Sequence, residues 1–128
     1  MKKYLIILGI LNVFLFTHCK QEKVSDFDLI KGSWKHSYEE EDENGYSIYR
    51  PSDYKEFPLR RFRQYFDFKD NNMCFYLVLS PNDAHYIQEG IWKYDESTNI
   101  IKIISRKDVV FEFQILELDE NILKLKML

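Results

Sequence analysis

Beyond residue 59 the chain alternates apolar and polar side chains with a period of two, as a strand with one buried and one wetted face does. In Phe62-Arg63-Gln64-Tyr65-Phe66-Asp67-Phe68 the even positions are mostly apolar and the odd ones mostly polar. Lys69-Asp70-Asn71-Asn72 then predicts a turn, 73–80 a second strand and Pro81-Asn82-Asp83 another turn. A third strand over 85–94 puts Tyr86, Gln88, Gly90, Trp92 and Tyr94 on one face. After a turn at 95–99 comes a strand over 100–105, closed by a tight connection at Arg106-Lys107-Asp108. Val109, Phe111, Phe113 and Ile115 alternate with Val110, Glu112 and Gln114 in the next strand. A last strand over 122–127 sets Leu123, Leu125 and Met127 against Lys124 and Lys126.

The first part of the domain is less regular. Residues 27–30 fit one helical turn, and 34–38 have the character of a strand. Residues 39–43 are five acids followed by Asn44-Gly45, a run that repels itself and predicts a solvated loop. A calcium site is the sharper alternative, but the ligand spacing and central glycine of an EF-hand loop are absent. Residues 46–57 are rich in tyrosine and predict a long excursion with one short strand.

Strands recurring at this spacing with short turns predict an antiparallel meander. Seven or eight strands with one wet face must close on themselves or leave edges that aggregate. The expected fold is therefore all-β: an up-and-down meander of 7–8 strands closed into a small barrel, with a two-sheet sandwich as the alternative.

Two of the four glycines and both tryptophans fall in Gly-x-Trp triplets, Gly32-Ser33-Trp34 and Gly90-Ile91-Trp92. These four residues are assigned structural roles: Gly32 and Trp34 at the entry to the barrel, Gly90 and Trp92 in mid-meander. With Leu29 or Ile30, with Tyr65-Phe66-Asp67-Phe68, with Tyr94-Asp95 and with the closing Leu123, Leu125 and Met127, the chain over roughly 28–128 resembles the bacterial lipocalin-like lipoproteins. That resemblance implies a lipocalin-like barrel. Lipocalins as a group bind small apolar ligands and have an arginine that packs over the first tryptophan. Here the terminal strand offers only Lys124 and Lys126.

The N-terminus supplies an address. Lys2 and Lys3 precede an apolar run over 4–16, too short to span a bilayer core of ~30 Å and suited to the core of a secretory signal helix. Phe16-Thr17-His18-Cys19 follows and resembles the lipobox of bacterial lipoproteins, with His18 where that motif has a small residue. The resemblance implies lipidation at Cys19 by acyl chains such as palmitate. More than one chain gives stable attachment, at ~0.8 kcal/mol per buried methylene. The expected organisation is a signal peptide over 1–18, a lipidated cysteine and tether over 19–27, and the barrel over 28–128. The expected location is the cell envelope, anchored through the acyl chains to the outer membrane on its periplasmic or surface side.

Removing Lys2 and Lys3 with the leader reduces 18 basic residues to 16 against 21 acids, a formal charge of −5. That argues against nucleic acid as a partner. Cys74 lies in an apolar run and, once Cys19 is acylated, has no partner, so it reads as a buried, inert thiol. His36 and His85 stand in no motif with Ser, Cys or Asp, and phosphate loops, nucleophile elbows and metal-ligand spacings are absent. The expectation is a non-catalytic protein with no cofactor and no metal.

Two functions of different class follow. In one, the barrel holds a small apolar or amphipathic ligand lined by Phe62, Phe66, Phe68, Tyr86, Trp92, Tyr94, Phe111 and Phe113. In the other, the domain binds or inhibits an envelope protein through the acidic, tyrosine-rich 39–57 segment. The anchor is checked by Cys19→Ala, which should abolish acylation and move the protein to the soluble fraction. Continued membrane retention would contradict it.

Overall fold

A computed structural model describes residues 25–82 and 84–128. The expected signal helix, Cys19 and most of the tether lie outside the described residues. No helix among those described is long and apolar enough to cross a membrane.

The described chain is a closed barrel of eight antiparallel strands. A short helix α1 (Asp26–Ile30) leads into β1 (Gly32–His36), and a 3-10 turn (Tyr38–Glu40) leads to β2 (Ser47–Pro51). Then come β3 (Tyr65–Phe68), β4 (Met73–Leu79), β5 (His85–Asp95), β6 (Ile100–Ser105), β7 (Asp108–Leu118) and β8 (Leu123–Met127). The strand expected within the 46–57 excursion is β2. The strand expected from Phe62 begins only at Tyr65, so Phe62 belongs to the preceding loop.

From β3 to β8 every strand pairs with its neighbour in sequence, but the ring closes in the order β1-β2-β8-β7-β6-β5-β4-β3. β1 is therefore wedged between β2 and β3, pairing Trp34 with Pro51 on one side and with Phe66 on the other. The connection 52–64 must then cross β1, and it does so over the outer face. Ser52 donates its N–H to Ser33 O at 3.0 Å and its hydroxyl to Ser33 Oγ at 2.6 Å. Farther along, Lys35 lies 5.4 Å from the Phe57 ring centroid. β2 and β8 complete the ring through Ser47↔Leu125 and Tyr49↔Leu123.

The two Gly-x-Trp triplets meet at one end. Trp34 donates its indole N–H to Ile30 O at 2.8 Å, which ties α1 across the barrel. Trp92 donates its own to Lys69 O at 3.1 Å and stacks on Phe27 of α1 at 4.8 Å. Ile30 and Trp92 are fully buried, so α1 seals this end. Gly32, at φ 124°, turns the chain from α1 into β1 in a region closed to most side chains. Gly90 has a different reason: a Cβ there would stand 3.0 Å from Ile104 O and 3.2 Å from a methyl of Ile103. Its absence lets β6 lie close against β5.

Inward-facing positions fill the middle of the barrel. Phe66, Phe68, Phe113, Ile101, Ile103, Leu123 and Leu125 are buried, each contributing roughly 1.5–3 kcal/mol by leaving water. The rings meet edge to face, Phe66 on Phe113 at 5.6 Å and Phe68 on Trp92 at 5.2 Å. The alternation fails at the opposite end. A register shift between Ile103 and Ile104 displaces β7, leaving Val109 exposed, and Met127 runs out past the core.

Gly90→Ala should lower the melting temperature markedly, because the obstructing atom is backbone; forced overpacking typically costs ~1–3 kcal/mol. An unchanged thermal unfolding curve would show that β6 can move away.

Candidate binding site at the mouth of the barrel

Opposite α1 the strands run out at different heights. The β1–β3 pairing stops at Lys35↔Tyr65, and the β3–β4 pairing stops at Phe66↔Tyr76. β4 and β5 continue as a hairpin from Leu77↔Ile87 to Leu79↔His85. Beyond β3 the side chain of Gln64 takes over the ladder. Its Oε1 accepts the Leu77 N–H at 3.2 Å and its Nε2 donates to Leu77 O at 3.1 Å. The β5–β6 pairing ends at Ile91↔Ile104, and the β6–β7 hairpin closes at Ser105↔Asp108. Arg106 and Lys107 form that turn with φ of 52° and 71°. A two-residue hairpin that needs two left-handed residues usually has Asn-Gly; here it carries two cations.

Between these two hairpins lies a cavity of about 480 Å³, open to solvent. Phe62, Tyr76, Val78, Tyr86 and Phe111 give it apolar walls. Gln64, Gln88, Ser105, Arg106 and Asp108 place polar groups around them. An apolar cleft of a few hundred Å³ with a small number of polar groups is the usual form of a small-molecule site.

The eight aromatic residues expected to line a ligand separate into three groups. Phe62, Tyr86 and Phe111 line the mouth cleft. Phe66, Phe68, Trp92 and Phe113 are buried and packed on one another in the body of the barrel. Tyr94 lies toward the sealed end, its hydroxyl donating to Asp26 at 3.2 Å or Asn99 at 3.0 Å. Burial and the neighbouring Asp26 carboxylate push that phenol up to about 12. Arg106 and the amide of Gln64 were not singled out from sequence. The left-handed Arg-Lys turn could have flagged the first; the second depends on β4 outrunning β3, which no local pattern records.

The acidic run is largely exposed, as expected of a solvated loop, but three of its carboxylates are engaged within the domain. Glu39 pairs with Arg63 at 2.6 Å, and Glu40 with Arg50 through two hydrogen bonds of 2.9 Å. Glu40 also accepts from the Ser37 hydroxyl at 2.7 Å. Arg63 further donates to His36 O and Pro58 O, and Arg60 lies 3.9 Å from the Tyr38 ring centroid. The acids thus meet arginines supplied by β2 and by the crossing segment, and charges that repel along the chain attract across the fold.

His36 is buried against the Tyr49 ring at 4.7 Å and hydrogen-bonds the Glu41 carboxylate through Nε2. Burial lowers its basicity below the usual 6.5, outweighing Glu41, with Arg63 and Arg60 adding to the effect. The neutral ring then donates Nε2–H to Glu41. The neighbouring hydroxyl, Ser37, is engaged elsewhere, donating to Glu40 and accepting from Lys55 at 2.8 Å. His85 is exposed, its ring 5.5 Å from Phe62. Burial pushes the Cys74 thiol up to about 12, so it stays protonated at neutral pH. Among the described residues no cluster of three or more His, Cys, Asp or Glu could hold a metal.

Compared with known proteins, the chain matches no protein-family profile, no curated protein and no solved structure.

The arginine pairs hold the Glu39 and Glu40 carboxyls at about 2, against 4.5 unpaired. A depressed carboxylate stabilises the fold above its unfolded pKa, and that contribution is lost as pH falls through the folded value. Stability in urea should therefore decline between pH 4.5 and about 2. Arg63→Ala and Arg50→Ala should each flatten that decline, and identical acid profiles in the variants would show that the pairs contribute nothing.

Proposed function

We propose that this chain is a lipid-anchored protein of the bacterial cell envelope whose barrel binds a small apolar or amphipathic ligand at its mouth and performs no catalysis. The observation that carries the binding is the difference between the two ends. One is plugged by α1 and both indoles, and the other holds an open cleft walled by Phe62, Val78, Tyr86 and Phe111. The packed middle of the barrel confines the ligand to this cleft. The rings there act as apolar walls, while Gln88 and Arg106 at the rim suit a polar or anionic head.

The anchor reading rests on the basic-apolar leader and on Cys19, and the resemblance to lipocalin-like lipoproteins supports both anchor and ligand class. It has a geometric consequence. From Cys19 to Ser25 the tether reaches at most ~20 Å. It enters at the sealed end, so the mouth points away from the anchoring membrane and toward solutes or partners of the aqueous compartment.

The 39–57 segment offers less to a partner than its charge suggests, because Glu39, Glu40 and Glu41 are all engaged within the domain.

The test is native mass spectrometry of the full-length protein extracted from its own membranes. A co-purifying apolar or amphipathic mass is expected. Tyr86→Asp, which puts a charge on a half-exposed wall position, should remove that mass and leave the melting temperature unchanged. A barrel that is empty in every preparation would overturn the ligand reading.

A further inference from the structure

β5 has a free edge. Trp92 N–H bonds Asn72 O on the β4 side, so even positions of β5 serve β4 and odd positions point toward β6. β6 pairs with β5 only up to Ile104 and then turns away at Arg106. The next odd carbonyl, Glu89 O, is met by side chains instead, the Ser105 hydroxyl at 3.1 Å and the Gln88 amide at 3.2 Å. Beyond it, the N–H and C=O of Ile87 face a side on which no strand follows among the described residues. Ile87 and Tyr86 are 58% and 48% exposed there.

Two cavities meet at this edge from opposite faces of the sheet. The inner one is the mouth cleft, with Val78, Tyr86 and Phe111. The outer one, of about 360 Å³, is lined by Glu89, Ile91, Arg106 and Lys107 among others. Gln88, Ser105 and Arg106 border both. An extended chain sends successive side chains to opposite faces. A free edge with a cavity on each face therefore has the form of a seat for one added strand.

We propose that the notch between the β4–β5 and β6–β7 hairpins binds a short extended peptide segment of an envelope protein, which adds to β5 as an antiparallel strand. Ile87 supplies the main-chain hydrogen bonds. Alternate apolar side chains of the peptide enter the mouth cleft, and the intervening ones face the outer cavity. There Arg106 and Lys107 outnumber the single carboxylate of Glu89 and favour acidic residues. The peptide shares walls with the proposed ligand cleft but does not require a small molecule to bind.

The probe is a capped hexapeptide alternating valine and aspartate, titrated into the isotopically labelled full chain in detergent micelles. Binding should slow hydrogen exchange at the Ile87 amide and shift the resonances of Ile87, Gln88 and Arg106. The same peptide N-methylated at alternate amides should bind at least tenfold more weakly. Ile87→Pro removes an N–H that no strand uses, so it should give the same loss while the mouth still binds the fluorescent probe anilinonaphthalene sulfonate. Arg106→Asp, which suits a left-handed position, should weaken the valine–aspartate peptide and strengthen its valine–lysine counterpart. Absence of binding at millimolar peptide, equal binding of the methylated peptide, or perturbations confined to another face would overturn the proposal. So would dimerisation of the chain lost in Ile87→Pro, which would assign the edge to a second copy. A wild type that binds the peptide but not anilinonaphthalene sulfonate would count against the ligand cleft and leave the strand seat standing.

Discussion

The barrel is closed because β1 is paired on both sides. Five residues, Gly32–His36, join β2 to β3, and without them the sheet would end in two open edges. That one insertion sets much of what surrounds it. It sends Trp34 and His36 inward and Ser33 and Lys35 outward. It forces the 52–64 connection across the outside of the sheet, where Ser52 and Phe57 cover the outward side chains. It also brings the arginine-bearing segment beside the acidic turn. The ion pairs of Glu39 and Glu40 are a consequence of strand order as much as of charge.

The barrel is polar in the sense that its ends are different objects. At one, two indoles hydrogen-bond main-chain carbonyls and a five-residue helix lies across the opening. Such a helix is too short to be stable alone; its Ile30 and Phe27 contacts with the barrel hold it. At the other, strands end at unequal heights, and side chains substitute for missing neighbours. Gln64 continues the ladder for Leu77, and Ser105 with Gln88 finishes it for Glu89. These substitutions satisfy main-chain groups that would otherwise be left without partners and leave one short stretch of β5 open. Tightly packed rings occupy the space between the ends.

The period-two pattern from residue 59 was enough to read the six strands of the β3–β8 meander, most of their turns and the closed all-β class. Alternation is a local property that every strand carries in its own residues. The pairing of Gly32 with Trp34 and of Gly90 with Trp92 likewise marked four structural positions. What the pattern could not carry was the order of β1 and β2, because both neighbours of a strand are chosen by distant segments. It also could not say that Glu39 and Glu40 would be paired, since Arg63 and Arg50 become their neighbours only in the fold.

The candidate site divides along the same line. Phe62, Tyr86 and Phe111 were legible as aromatic positions, but nothing in the alternation separated them from Phe66, Phe68 and Phe113, which have the same spacing and fill the core. Depth along the barrel axis decides which rings pack and which face the mouth, and depth follows from strand stagger. The sequence by itself determined the strands and their faces, because each is written in adjacent residues. Tertiary structure alone decided the strand order, the sealed and open ends and the free edge of β5. Each of those is a relation between segments far apart in the chain, set by register and closure.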